Sequence, residues 1–289
     1  MPLKRLIYGF VCLFAILPLT SFSNNSPTDT YRIKTIVIDA GHGGKDGSTH
    51  GVYSKEKDVA LKTALNLGKA IEANLKDVKV VYTRTEDVFI PLYERIGIAN
   101  RAKADLFISI HCNDMPLIKH RVPNGYYRDK RGRKIRRYKT VYSKSTSTHG
   151  VETFVSGFGR LDEQDVALRE NASILLESDY KNNYDGYDPK DPESIIMLSL
   201  MKNTFRDQSI KLASLIQDEY VKTGRVNRGV QEKSLAVLAR AGMPAVLTEI
   251  GFISNPEEED YMNSESGQNE IVSCLLNAIQ AYKKQVEVN

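Results

Sequence analysis

The sequence predicts an α/β fold: a single domain with a mostly parallel sheet and a helical insertion. Two observations carry this. Three β-rich runs, 33–40, 78–83 and 105–112, alternate with two stretches of helical character, 56–75 and 91–103. The connections between them are short, and strand–helix–strand–helix–strand series of this kind form right-handed βαβ units in a parallel sheet.

The first run, Ile33 to Ala40, is rich in β-branched residues and stops at Gly41-His42-Gly43-Gly44. Val59, Leu61, Leu65, Leu67, Ile71 and Leu75 then recur at helical spacing. Val78–Thr83 reads as the second strand. Pro91, tolerated in a first helical turn, opens the next helix. Asp105–Cys112 is the third strand. Residues 114–149 form a basic insert without clear periodicity, and Val151–Val155 is a further strand. Residues 163–181 and 193–222 read as helices separated by the turn-rich 182–189. Leu235–Leu238 and Pro244–Glu249 are predicted strands, Pro256 starts another helix, and 266–285 is the terminal helix. The domain spans 32–286, with 114–149 and 158–200 as elaborations.

The chain has 289 residues, of which 41% are hydrophobic and 26% charged. These proportions exclude collagen-like, low-complexity and wholly disordered classes. The net charge of +4 hides an asymmetry: the insert 114–149 carries +9, leaving −5 elsewhere. A mildly acidic protein with one basic insert does not fit nucleic acid as its main partner. Lys4-Arg5, an apolar run from Leu6 to Leu19, and Ser21 and Ser23 before a cut after Ser23 form a signal-peptide pattern. The apolar run falls short of the roughly 20 residues of a spanning helix. The expectation is therefore a signal peptide over 1–23, a linker over 24–31, and a periplasmic or secreted product with no integral membrane segment after cleavage. Cys112 and Cys274 remain, either as two buried thiols or as one disulfide.

His42 ends the first strand and His111 the third. The C-terminal ends of parallel strands share one sheet edge, where ligands of open α/β sheets collect. Glu56 opens the helix after the first loop and sits at the same edge. His, Glu and His form a recurrent catalytic zinc set that leaves a fourth position for water. The other readings are a loop or core histidine and a carboxylate placed for the helix dipole. Glu249 ends the strand that opens with the apolar run Pro244–Leu247, so its carboxyl is either desolvated for proton transfer or engaged in a surface salt bridge.

Seven ordered blocks carry a resemblance. They are Val37-Ile-Asp-Ala-Gly-His-Gly-Gly-Lys-Asp46, Glu56-Lys-Asp58, Val81-Tyr-Thr-Arg-Thr85, Arg95-Ile-Gly-Ile-Ala-Asn100, Asp105-Leu-Phe-Ile-Ser-Ile-His-Cys-Asn113, Gly150-Val-Glu-Thr153 and Pro244-Ala-Val-Leu-Thr-Glu-Ile-Gly-Phe-Ile-Ser-Asn255. The chain resembles, over 33–285, the bacterial zinc-dependent N-acetylmuramoyl-L-alanine amidases of the cell-division type. The resemblance implies a mixed sheet with helices on both faces and one Zn2+ held by His42, Glu56 and His111. It implies Glu249 as the catalytic carboxylate, peptidoglycan as substrate, and a role in cell-wall remodelling and daughter-cell separation. Cys112 departs from the family, which often has Ala there; strand alternation points it away from the His111 face. His50, His120 and His149 fall outside the matched positions.

Further expectations follow from the resemblance. Arg228 is similar to a position near the substrate groove, where it would pair with a stem-peptide carboxylate; otherwise it is a solvated loop arginine. Relatives of this type carry an inserted helix that covers the zinc until an activator protein displaces it. Residues 158–200 occupy that place, and Glu177 or Glu193 would fill the open zinc position. An ordinary surface helix pair is the alternative. The basic insert reads first as a solvated loop and, more sharply, as a contact for anionic envelope polymer or a regulatory partner. The rival functions are a catalytically silent wall-binding or regulatory module and a zinc carboxypeptidase acting on stem peptides.

Overall fold

The computed structural model describes residues 31–47, 49–115, 118–143, 147–157, 159, 164–184, 186, 194 and 204–287. Among the described residues eight strands lie in chain order: β1 (Thr35–Ala40), β2 (Lys79–Tyr82), β3 (Leu106–Asn113), β4 (Ile118–Arg128), β5 (Lys134–Ser143), β6 (Val151–Ser156), β7 (Asn227–Lys233) and β8 (Ala245–Phe252). The helices are α1 (Glu56–Asn74), α2 (Leu92–Arg101), α3 (Asp165–Asn171), α4 (Tyr180–Asn183), α5 (Arg206–Lys222), α6 (Ala236–Ala239), α7 (Pro256–Asn263) and α8 (Glu265–Glu287). A 3-10 turn, Ala172–Leu176, follows α3.

Six strands form one sheet in the order β2-β1-β3-β8-β6-β7. The first four are parallel, β6 runs antiparallel to β8, and β7 is parallel to β6. The sheet is thus mostly parallel and mixed, as expected. Strand alternation divides its side chains cleanly. Ile36, Ile38, Ile108, Ile110, Cys112, Val246 and Ile250 pack with α1, α5 and α8 on one face. Val37, Phe107, Phe154, Ala245 and Leu247 pack with α2, α3 and α6 on the other. Each fully buried aliphatic side chain here contributes about 1.5–3 kcal/mol. On the α2 face the apolar positions give way to polar ones toward the strand ends: Val37 to Asp39, Phe107 to Ser109 and His111, Leu247 to Glu249. That switch builds a site into one end of an otherwise dry layer. Cys112 lies on the opposite face from His111, and Cys112 and Cys274 are buried free thiols.

Three expected elements differ. Leu235–Leu238 forms no strand: Ala236–Ala239 makes one helical turn, all buried. A run of four apolar residues carries no period that separates strand from helix. The strand at that edge is β7, a mostly polar segment that carries Gly229 at φ +95°. The 163–181 stretch breaks into α3, the 3-10 turn and α4. The basic insert is a long antiparallel hairpin, β4 with β5, and not an irregular loop. Among the described residues no helix is long and apolar enough to cross a membrane.

Candidate metal centre

Two arginines shape the turn that presents His42. Arg84 donates to the carbonyls of Ala40 (2.9 Å) and Gly41 (2.7 Å), and Arg95 to those of Ala40 (2.7 Å) and His42 (2.7 Å). Arg95 also forms a buried ion pair with Asp39 at 2.8 Å, and Asp39 accepts from Thr83 and Ser109. These contacts hold His42 at φ +57°, a left-handed conformation unusual for a non-glycine residue. Gly41 lets the His111 ring come close: a Cβ there would stand 2.4 Å from His111 Nε2. Glu56 is the first residue of α1. Its Oε2 accepts from the Thr49 hydroxyl at 2.6 Å, and its Oε1 from the Cys112 amide at 3.1 Å. The preceding loop is tied down by Glu259, which accepts from the amides of Val52, Tyr53 and Ser54.

The expected ligands meet. His42 Nε2 lies 3.1 Å from Glu56 Oε1, and His111 Nδ1 lies 3.0 Å from the same oxygen. A fourth side chain joins them: Glu170 Oε2 is 3.3 Å from His42 Nε2 and 3.1 Å from His111 Nδ1. The four donor atoms lie within 4.8 Å of one another, and all four residues are buried. Asp46 sits behind His42, 2.8 Å from Nδ1, and sets which ring nitrogen faces the cluster. Burial alone would lower both imidazole pKa values; the Glu56 and Glu170 carboxylates reverse this and push His111 up to about 9 and His42 well above its usual range. Burial would raise the pKa of Glu56 and of Glu170, but the neighbouring histidines, and Arg169 beside Glu170, hold both low. His42 Nε2 and Glu170 Oε2 are fully buried without a hydrogen-bond partner. Buried ligand atoms left unsatisfied beside further His and Glu donors, here one imidazole nitrogen and one carboxylate oxygen, are what a zinc-type cation completes. The cluster is a site for one such ion.

Glu249 is opposite His111 in the β3–β8 register and opposite Glu152 in the β6–β8 register. It is fully buried, and its Oε2 has no hydrogen-bond partner. Burial and the charge of Glu170 push its carboxyl well above the usual range. Arg169 reaches its Oε1 at 3.5 Å and also donates to Asn113 Oδ1 and to the Asp114 carbonyl. A cleft of about 850 Å³ adjoins the site, lined by Asn113, Glu152, Arg169, Arg228 and Phe252. His42, His111 and Glu170 line a separate void of about 10 Å³. Helix α3 contributes Arg169 to the cleft and Glu170 to the void, so it stands between them. Arg228 faces the cleft, paired with Glu152 at 3.0 Å and stacked over Phe252.

Glu177 does not reach the cluster. It accepts from the Leu92 amide and the Tyr184 hydroxyl, both at 2.8 Å, and so fastens the insertion to the start of α2. An unbroken helix would have put Glu177 two turns beyond Glu170 on nearly the same face. The 3-10 turn and the extended backbone at Glu177 redirect it. Glu193 lies outside the described residues. Glu170 and Arg169 were not singled out by sequence; the available signal was a charged pair next to the buried Ala167 and Asn171 on a short helix. His120 pairs with Ser143 and His149 with the Ser147 carbonyl, away from the ligand set.

Comparisons with known proteins agree with this geometry. The profile of the N-acetylmuramoyl-L-alanine amidase family, Amidase_3, matches residues 36–281. The N-acetylmuramoyl-L-alanine amidase AmiC of Escherichia coli O6:H1 is 30% identical over 249 residues, covering 86% of this chain. This chain spans about half, 52%, of that relative's length. The catalytic domain of CwlV, an N-acetylmuramoyl-L-alanine amidase from Bacillus (Paenibacillus) polymyxa var. colistinus, superposes with a TM-score of 0.57 at 25% identity, over 86% of this chain and 98% of that one. An N-acetylmuramoyl-L-alanine amidase from Clostridium difficile 630 shares the fold, with a TM-score of 0.58 at 24% identity over 87% and 97% of the two chains. With a family match over residues 36–281, most of its length, the chain belongs to the N-acetylmuramoyl-L-alanine amidase family.

Proposed function

We propose that this chain hydrolyses the amide bond between the lactyl group of N-acetylmuramic acid and the L-alanine of the peptidoglycan stem peptide. The observation that carries the reading is the convergence of His42 Nε2, Glu56 Oε1 and His111 Nδ1 beside the buried carboxylate of Glu249. Family membership supports the choice of bond. The N-terminal export pattern supports a periplasmic or secreted location, and wall remodelling with daughter-cell separation as the setting.

His42, Glu56 and His111 would hold the zinc. When bound, zinc lowers the pKa of a coordinated water toward about 7 and polarises a carbonyl. Glu249 takes a proton from the attacking water. The water oxygen bonds to the amide carbon, the carbon–nitrogen bond breaks, and Glu249 returns the proton to the departing alanine nitrogen. Arg228, set at the cleft wall and already paired with Glu152, would exchange that partner for a stem-peptide carboxylate.

Mass spectrometry of products from purified peptidoglycan, with and without chelator, tests the reading. Free muramyl glycan and an intact peptide, lost on chelation, are expected. A shortened peptide would mean a carboxypeptidase, and no release from either the wild type or Glu170→Ala would mean a silent wall-binding module.

A second reading concerns the resting state. Glu170 occupies the position beside the three ligands that water would need, and Arg169 of the same helix engages Glu249. We infer that α3 holds the site closed until an activator protein draws it away. Glu170→Ala should raise basal turnover; unchanged or lower turnover with normal zinc content would remove this reading.

A further inference from the structure

The β4–β5 hairpin leaves the sheet at the rim of the catalytic cleft. Its outgoing end passes through Asp114 and Met115, which line the cleft, and the Met115 amide donates to Ser254. Its returning end is held by Asn255, whose side chain donates to the Thr148 carbonyl. Both roots are therefore tied to the turn after β8, which carries Glu249. At about 3.3 Å per residue, the 11 residues of β4 reach roughly 35 Å.

The register sorts the hairpin into two unlike faces. Paired residues share a face, and the pairs Lys119–Tyr142, Arg121–Thr140, Pro123–Tyr138, Tyr126–Arg136 and Arg128–Lys134 define the first. That face bears five cations and three tyrosines. All three tyrosines are about half exposed or more: Tyr126 51%, Tyr138 49% and Tyr142 61%. Arg121 lies over Tyr138, and Lys134 and Arg136 over Tyr126, so the rings and cations form one surface. The other face holds Ile118, Val122, Tyr127, Ile135 and Val141 beside Arg137 and Lys139. The single acidic residue of the hairpin, Asp129, sits at its turn, already paired with Arg133. A lone hairpin is marginal in water. Charge crowded on one of its faces costs stability further unless an anion meets it.

We propose that the first face binds the peptidoglycan itself, as a run of glycan carrying anionic stem peptides, next to the strand being cut. This rests on the peptidoglycan reading above. Spaced guanidinium and ammonium groups meet the stem-peptide carboxylates, and the exposed tyrosine rings stack on sugar rings. The rooting of both hairpin ends at the cleft rim favours the polymer that enters the cleft over a membrane surface. The hairpin acts as a holdfast for an insoluble substrate and leaves the chemistry at Glu249 untouched.

The test compares wild-type protein with the five-fold variant K119Q, R121Q, R128Q, K134Q, R136Q and with the opposite-face variant R137Q, K139Q. Three readouts are taken: co-sedimentation with purified sacculi, co-sedimentation with phosphatidylglycerol vesicles, and turnover of a small soluble muramyl peptide. The five-fold variant should lose roughly tenfold or more of its retention on sacculi, and raised salt should mimic the loss in the wild type. Its soluble turnover should stay at the wild-type level, and the opposite-face variant should retain more than the five-fold one. Unchanged retention, equal loss in both variants, or loss confined to vesicles overturns the proposal. Tryptic cutting at the hairpin lysines and arginines of wild-type protein provides a check independent of variant folding: sacculi should slow it, and unaltered cutting also overturns the proposal. Failure of soluble turnover in both the wild type and Glu170→Ala would strike the amidase reading alone, because retention is measured without it.

Discussion

Glu259 offers a quantitative test of how the fold places the ligand on α1. Its carboxylate is fully buried and accepts four hydrogen bonds: from the amides of Val52 (2.7 Å), Tyr53 (3.0 Å) and Ser54 (2.7 Å), and from the Ser54 hydroxyl (2.7 Å). Two residues after Ser54 comes Glu56. Hydrogen bonds to a charged group contribute about 1.5–3 kcal/mol each, but they do not add, and this loop is exposed enough for water to replace some of them. Glu259→Ala should therefore cost about 3 kcal/mol, or roughly 6–12 °C in Tm for a domain of this size. Urea unfolding of the zinc-free protein measures it. The pH dependence supplies a sign. Burial opposes ionisation of Glu259, but the four donors prevail and hold its pKa below the usual carboxylate value. The stability it contributes is present above the unfolded value near 4.3 and is lost as pH falls through the lower folded value. The gap between wild type and variant should thus be full at neutral pH and shrink in acid. A cost under about 1 kcal/mol at pH 7, or a gap that does not change between neutral and strongly acid pH, would refute the reasoning.

Three more outcomes are expected. Gly41→Ala places a Cβ 2.4 Å from His111 Nε2 and must displace the ring; zinc affinity measured by chelator competition should fall about 10–100-fold, with Tm changed far less. Arg95→Leu strands Asp39 in the core and releases the His42 carbonyl, so thermal unfolding should show a loss of about 3–5 kcal/mol, and an effect within 1 kcal/mol would count against the buried pair. Glu249→Gln should keep its zinc by elemental analysis and lose about 10²–10⁴ in turnover; near wild-type hydrolysis would remove its role in proton transfer.

The convergence of His42, Glu56 and His111 was legible because each stands at a landmark of the chain. His42 and His111 end apolar runs, and Glu56 opens a periodic one. Parallel strands with short crossovers have only one edge at which those three landmarks can meet. Glu249 was legible for the same reason, and its register partner turns out to be His111 itself. The fourth member was not. Choosing between Glu170 and Glu177 requires knowing that the helix tightens into a 3-10 turn after Asn171 and that the Glu177 carboxylate is taken by Leu92 and Tyr184. Nothing local in the sequence encodes those partners. The hairpin escaped notice because a ribbon exposed on both faces carries no core-facing apolar period to detect. Its pattern is one of charge and aromatic alternation, which becomes visible only in register. By itself, then, the sequence determined the layered fold and the end of the sheet at which the candidate metal cluster gathers, because strand ends and helix starts are properties of local pattern. Tertiary structure decided which carboxylate closes the cluster, which arginine covers Glu249, and how the basic insert sorts into faces. Those are contacts between segments far apart in the chain, settled by packing and by the need to pair buried charge.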